Sequence, residues 1–442
     1  MQNRKFQIRL IDAFKNLLDK RYLVCLLLAV CCLVFFSSSS YADEVTLNEL
    51  ISEALNNSPD ILASQSRAAA SRYRIPQAKS LPDPMFMFGY QNEGFNKYSY
   101  GEELMSQWMF SASQMFPFPG KLPLKGEMAS REAEGQEKSY ESTRLRTVLK
   151  VKELYYDLFL AYKDIDLIKD RTALFSRIED AALARYSSGM GQQQEVLMAQ
   201  TEKYMLLEKE EMLKQKVQSL EGMLNTTVGR DVNSQLGRPE ESFSTSYTGI
   251  FEEMVATAGE NSPELRAREK MASAAEVRVR MARKEYYPDF TVTAQYDKKG
   301  GPFMDMWALT TAINIPLYYK TKQRQAVYEA EASLSEARNE VAATKLMIAS
   351  SMRDNYSMLR TSEKLMELYK SGLIPKTYQD FEAALAGYMT GKIEAITVIS
   401  RLKSLIDYET SYWGQFVERE KAIARLEAIM GAKDYGTGVK VQ

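Results

Sequence analysis

The stretch Gln114–Glu127, QMFPFPGKLPLKGE, packs three prolines and two glycines into fourteen positions, and sixty residues without proline follow it. Before it, Trp108, Phe110, Ala112 and Phe116 recur at even spacing, the period of a strand with one apolar face. Beyond it, Val148, Val151, Tyr155, Leu158, Tyr162 and Ile165 alternate by threes and fours, as in a helix packed along a heptad seam. Prolines lack the N–H that a sheet needs and fix φ, so the chain stops pairing and turns here. Pro117 marks the strand end, Pro119, Gly120 and Pro123 widen the bend, and a long helix is expected from about Glu127.

The same order of signals occurs twice. NNSPDILASQSRAAA at Asn56 returns as ENSPELRAREKMASA at Glu260, and Pro59 and Pro84 recur as Pro263 and Pro288, 204 positions on. Trp108 and Pro117 recur as Trp307 and Pro316 at 199, while Tyr186, Gly189 and Gly229 recur as Tyr388, Gly391 and Gly431 at 202. An ordered series of this kind argues for duplication. The division is a leader at 1–42, repeats at 43–243 and 244–435, and a tail at 436–442. The first repeat holds a helix, strands at about 84–92 and 104–116, a long helix to about 187 and a return helix to about 229. The second holds a helix, strands at about 288–297 and 303–316, a long helix to about 389 and a return helix to about 431. Ser58 and Ser262 are read as N-caps, with Pro59 and Pro263 at the first helical position. The second bend, AINIPLYYKTKQRQ, keeps Pro316 but none of the other prolines or glycines.

In FTVTAQY, Phe290, Val292, Ala294 and Tyr296 share one side and Thr291, Thr293 and Gln295 the other. Trp307, Leu309, Thr311, Ile313 and Ile315 share a side in the next strand, as Phe86, Phe88 and Tyr90 do in the first. Period two fits hairpins half buried in a soluble core equally well. Strands of roughly 10 residues, long enough to cross a bilayer at a tilt, with aromatics near their ends, favour a membrane sheet. Each long helix spans on the order of 90 Å at 1.5 Å per residue, beyond the needs of a globular domain.

Composition narrows the function. Lys+Arg 57 against Asp+Glu 58 leaves a net charge of -1, with no basic excess for nucleic acid. There is no histidine, and Cys25, Cys31 and Cys32 all lie in the first 42 residues, so His- or Cys-based catalysis and His/Cys zinc sites are excluded from the mature chain. An enzyme is not expected, nor a cofactor. Basic residues, then the fifteen apolar residues YLVCLLLAVCCLVFF and SSSSYAD, make a secretory signal cleaved after Ala42.

Four strands cannot span a membrane alone, because an open edge in lipid leaves backbone groups unpaired at several kcal/mol each. Barrels close at eight strands or more, so if the strands lie in a membrane the protein must oligomerise. The motifs VTLNELISEALNNSPDI, RIPQAKSLPDPMFMFGYQNE, QMFPFPGKLPLKGE, RYSSGMGQQQEVLMAQTE and LEGMLNTTVGR resemble the TolC-type outer-membrane efflux channels, with a lean toward the heavy-metal branch. The resemblance covers essentially the whole mature chain. It implies a mainly α fold with a small β part: a homotrimer whose twelve-stranded outer-membrane barrel, embedded in outer-membrane lipid, continues into a long-helix periplasmic α-barrel. It implies a passive duct for heavy-metal cations or other small toxic compounds, worked by a periplasmic adaptor and an inner-membrane efflux pump. Drug or protein export on the same fold, and a non-conducting periplasmic coiled-coil scaffold or adaptor, are the alternatives.

Tyr-x-x-Gly turns at Tyr186 and Tyr388 are read as hairpin tips, the glycine permitting a left-handed reversal. By resemblance, the tips close the tube and receive the adaptor, making Gly189, Met190, Gly191, Gly391, Lys392 and Ile393 contact candidates. Where drug-exporting relatives carry constriction aspartates, this chain has Thr397 and Ser400; Glu195 and Glu394 are the substitute gate candidates, each equally explicable as a helix-start carboxylate. Met85, Met87, Met105, Met109, Met115, Met304 and Met306 are assigned to the face opposite the aromatics, near the outer end. Thioethers suit Cu(I) or Ag(I), although methionine also simply fills space. Pro117, Pro119, Gly120 and Pro316 make the joint between barrel and helices, and Lys121, Lys125, Lys320 and Lys322 fit a headgroup rim or plain solvated surface.

Overall fold

The structure, a computed structural model, describes residues 44–241, 247 and 249–431. The leader at 1–42 and the tail at 436–442 lie outside the described residues. The first repeat comprises α1 (Leu47–Asn57), α2 (Pro59–Lys79), β1 (Met85–Gln91), β2 (Gln107–Phe116), α3 (Lys121–Ser187) and α4 (Gln193–Val228). The second comprises α5 (Phe251–Asn261), α6 (Pro263–Lys284), β3 (Asp289–Lys299), β4 (Met306–Asn314), then α7 (Gln323–Leu368), a π-turn (Tyr369–Leu373), α8 (Ile374–Met389) and α9 (Ala395–Met430).

The strands form one antiparallel sheet in the order β1-β2-β3-β4. Register sets its two faces, because directly paired residues point the same way. Phe88 pairs with Phe110, Phe110 with Tyr296, and Tyr296 with Trp307. Phe86, Val292, Leu309 and Ile313 lie on that same apolar side. Phe88 stacks on Trp108 with ring centroids 5.1 Å apart, yet Phe86 remains 78% and Trp307 80% exposed. An aromatic face so bare has no core beneath it among the described residues. The other face carries Ser111, Ser113, Thr291, Thr293, Gln295 and Thr310. Both edges, β1 and β4, lack a strand partner among the described residues.

β1, β2 and β4 are shorter than the sequence implies, with 104–106, 303–305 and 315–316 outside them, whereas β3 runs two residues further than implied, to Lys299. At the far end Asn92 organises the loop, accepting from the Ser99 N–H at 2.9 Å and donating to the Gly94 carbonyl at 2.8 Å. These bonds replace the sheet ladder there. The two loops meet at Gly101 and Gly301, so close that a Cβ on Gly301 would stand 2.2 Å from the Gly101 carbonyl oxygen.

α3 begins at Lys121, not near Glu127. Gly120, at φ 95°, takes the left-handed conformation that starts it, and Pro123 falls in the first turn, where its missing N–H has no helical acceptor. The 67 residues of α3 make about 100 Å of helix. The second long helix is not continuous: the π-turn precedes Pro375. Proline cannot donate to the carbonyl four residues back and its ring crowds it, and a π-turn relieves both. Ser58 and Ser262 precede Pro59 and Pro263 as expected, but neither side chain caps; both are buried. A capping box that the sequence reading passed over starts α1, where Thr46 and Glu49 exchange bonds at 3.3 Å.

Helices pack along ion-paired seams. α3 is stitched to α9 by Lys152–Glu427, Glu153–Arg425, Asp157–Lys421 and Arg171–Glu409. Toward the hairpin tips an apolar cluster gathers Phe175, Ile178, Phe381, Val398 and Leu402 from several helices. Asp164, on α3, is an exception in the α3–α4 hairpin: its Oδ1 is buried without a hydrogen-bond partner. Burial raises its pKa to about 6, against the pull of Lys209 and Lys216. A carboxyl held above its unfolded value contributes stability below about pH 4, lost as the pH rises through 6. Asp164→Asn is therefore expected to raise the melting temperature at pH 8 and leave it unchanged at pH 4, read by thermal unfolding at both pH values.

Candidate functional site

Two places concentrate specific chemistry, the hairpin tips and the joint between sheet and helices. At the tips, Gly189 (φ 74°) and Gly391 (φ 75°) reverse the chain. In each copy the turn closes alike: Met190 N–H donates to the Arg185 carbonyl and Lys392 N–H to the Gly387 carbonyl, both at 2.9 Å. Met190, Gly391 and Lys392 are exposed and Gly191 is half-buried. Ile393 turns inward over Gly387 and joins the apolar cluster.

At the tips a cluster of three side chains joins the two hairpins. The Arg185 guanidinium donates to the carbonyls of Tyr388 at 2.8 Å and Met190 at 3.1 Å, and lies 4.9 Å from the Tyr388 ring centroid. Tyr388 O–H donates to the Glu195 carboxylate at 2.9 Å, and Arg185 Nε stands 3.9 Å from the same carboxylate. Burial and the bond to Glu195 push the Tyr388 phenol up to about 12, so it remains a donor throughout the neutral range. Glu195 thus sits in a three-residue clasp. Glu394 is exposed at the N-cap of α9 with no side-chain cap bond, Thr397 is half-buried, and Ser400 is exposed.

The clasp escaped the sequence reading, which gave Tyr186 and Tyr388 one role. Tyr388 is fully buried whereas Tyr186 is 45% exposed. The available signal was asymmetry: at the spacing of 202, Arg185 and Glu195 correspond to Gly387 and Thr397, so the charges exist in one copy only.

At the joint, Pro117 follows β2 directly and Gly120 precedes α3, with Pro119 exposed between them; Pro316 stands two residues past β4. Lys121 is 2% exposed, which corrects its placement on a solvated or headgroup rim. Its ammonium bonds Glu285 at 3.0 Å and Asp289 at 2.9 Å, and Asp289 also accepts the Phe118 N–H at 2.8 Å. Burial alone would lower its pKa; the bonds to Asp289 and Glu285 outweigh burial and raise it. Beside it Phe118 stacks on Tyr287, 4.6 Å between centroids. Lys121 from the first copy and Glu285 and Asp289 from the second form a clasp between repeats. Its counterpart Lys320 is exposed, as is Lys322, while Lys125 is half-buried.

On the sheet, Met85, Met87, Met109, Met115 and Met306 occupy the face opposite the aromatics. They run the full height of the strands, not only the far end: Met85 pairs with Ser113 near the joint and Met306 with Asp297 at the far end. Met105 and Met304 lie in the loops and belong to neither face. Met109 and Met306 flank Asp297 in one register row. Asp297 is buried and accepts from the Gln295 amide at 2.8 Å. Among the described residues no group of three His, Cys, Asp or Glu side chains is placed to hold a metal, and no helix is long and apolar enough to cross a membrane.

A profile of the family described as "Outer membrane efflux protein" matches residues 50–230 and 254–431, both repeats. The chain belongs to the outer membrane efflux protein family. The cobalt-zinc-cadmium resistance protein CzcC of Cupriavidus metallidurans is 20% identical over 397 residues, covering 88% of this chain and 91% of that protein. The fold is shared with the CusC channel (TM-score 0.75, 14% identity, 88% of this chain and 93% of that one). It is also shared with the outer-membrane protein VceC of Vibrio cholerae (TM-score 0.73, 18% identity, 87% and 96%). The four-stranded sheet and long helical hairpins are those of an outer-membrane channel with a periplasmic extension.

Proposed function

We propose that this efflux channel works as a homotrimer, coupled by a periplasmic adaptor to an inner-membrane pump, and that its cargo is heavy-metal cations. The observation that carries the trimer is the sheet: a bare aromatic face suited to lipid, a polar opposite face, and two unpartnered edges that lipid would not tolerate. Three copies supply twelve strands, wide enough for an open lumen lined by the polar face. The kinship with a cobalt-zinc-cadmium resistance protein supports the cargo. The chain's own contribution is passive: a dry outer wall, a wet inner one, and tips that open or close.

Met190 and Lys392, exposed at the tips, and the half-buried Gly191 are the surface offered to the adaptor, with Gly189 and Gly391 setting the turns and Ile393 anchoring the second from within. Arg185, Tyr388 and Glu195 hold the two hairpins together and keep the tips shut; Glu394, Thr397 and Ser400 stand outside the clasp. Tyr388→Phe removes the donor to Glu195 and keeps the ring. A hydrogen bond to a charged group contributes about 1.5–3 kcal/mol. Conductance in planar bilayers is therefore expected to rise severalfold over wild type, and an unchanged conductance would remove the clasp from gating.

The methionines on the polar face offer soft ligands along the exit path. Growth of a deletion strain on graded cobalt, zinc, cadmium, copper and silver, set against drugs, tests the cargo. Loss of metal tolerance alone, restored by the wild-type gene, is the expected result. Drug sensitivity alone would overturn it. Restoration by a chain with Met85, Met87, Met109, Met115 and Met306 all changed to leucine would end the methionine path and leave the channel standing.

A further inference from the structure

Within one chain, the descending helix of the first repeat, α3, packs on the return helix of the second, α9. The duplication makes α4 the counterpart of α9 and α8 the counterpart of the lower part of α3, at the spacing of 202 that relates Tyr186 to Tyr388, Gly189 to Gly391 and Gly229 to Gly431. Exchanging the repeats calls for a second seam, α4 on the π-turn and α8, which among the described residues of one chain is not packed as α3 is on α9, although Glu195 of α4 and Tyr388 of α8 touch at the tip. The same exchange would bring the free β4 edge to a free β1 edge. Above the tip, both halves of that seam are thus present on every copy and bare on a single chain.

We infer that a second copy of this chain fills that seam, and that the seam between copies is apolar at the level where the seam within the chain is ionic. In the internal seam Arg171 Nε bonds the Glu409 carboxylate at 2.8 Å as half of a bidentate pair. Moved by 202 in opposite senses, Arg171 becomes Leu373 and Glu409 becomes Leu207. On the single chain Leu373 is 40% and Leu207 41% exposed. One level up, beyond the π-turn, Leu368 and Met212 are 58% and 59% exposed. Leu207 and Leu373, bare on one chain and opposed by the repeat, with Leu368 and Met212 bare one level up, fit each other better than they fit water. Because the π-turn ends at Leu373, the Leu207–Leu373 pair lies at the edge of the segment whose spacing the tips fix. The proposal rests on the trimeric-channel reading and names the residues by which copies meet.

The mature sequence after residue 42 has no cysteine, which makes cross-linking clean. Leu207→Cys with Leu373→Cys in one chain, oxidised in the native membrane or joined by a short bis-maleimide, should shift the band under denaturing conditions to two and three times the single-chain mass. Either variant alone should not. Arg171→Cys with Glu409→Cys should close within one chain and give no larger band. If the double variant accumulates poorly, Met212→Cys with Leu368→Cys reads the same seam one level up. Absence of larger bands while the internal pair closes would overturn the seam. In that case, trimer mass in native detergent particles would keep the channel reading and reject only these residues, whereas monomer mass would reject both.

Discussion

Lys121→Met is expected to lower the unfolding free energy by about 3 kcal/mol, the lower end of the range for removing one partner of a buried ion pair. The lower end applies because Glu285 keeps 42% of its side chain exposed and can return to water, whereas Asp289 is only 16% exposed. Asp289 is the costlier orphan, since it also holds the Phe118 N–H that ends β2's exit. Loss of the ammonium therefore loosens both the cross-repeat contact and the turn into α3. The raised pKa of Lys121 keeps this contribution intact below about pH 10, so the loss should be the same at pH 6 and pH 8. Denaturant titration of the detergent-solubilised protein at both values reads it. Lys320→Met, at the exposed counterpart, should move the midpoint by no more than a surface substitution does.

Gly229→Ala should cost about as much, for a different reason. Gly229 ends α4 at φ 96°, where a side chain costs about 1–2 kcal/mol, and a Cβ there would stand 2.5 Å from the Asn57 carbonyl oxygen at the end of α1. That neighbour is backbone and cannot swing aside, so strain and clash together are expected to reach about 3 kcal/mol. The device is repeated: Gly431 ends α9 at φ 73°, and its Cβ would lie 2.7 Å from the Asn261 carbonyl oxygen. Gly431→Ala should behave likewise. Gly259 in α5, with nothing near its missing Cβ, is the control, and its change to alanine should be neutral or stabilising by up to about 1 kcal/mol. Thermal melts of the three variants side by side decide the matter.

Periodicity carried most of the architecture. Strand faces, helix hairpins and the duplication follow from spacing, because a period of two or of 3.6 says which side of an element is buried. The clasps were illegible for the opposite reason. Lys121 lies 164 positions from Glu285, and Arg185 lies 203 from Tyr388; such partners meet only after the repeats have folded against one another. A lysine beside a bend has the same local pattern whether solvated or buried. The π-turn was similarly hidden: Pro375 announced a disturbance in the second long helix, but not that the backbone would absorb it with one wider turn. Strand ends were overrun where Asn92 and the meeting glycines of the two loops compete with ladder bonds. Glu195 was singled out as a carboxylate near a tip, and what it grips became visible only with Tyr388 and Arg185 beside it.

Copies of this sheet that close around a lumen make a conducting pore across a membrane. Single-channel recording of the purified detergent-solubilised protein in a planar lipid bilayer reads that pore. Discrete, uniform current steps are expected, small in the wild type with the tips clasped and larger with Tyr388→Phe. Protein that remains monomeric, or that associates with the bilayer and passes no current in either form, would contradict that pore.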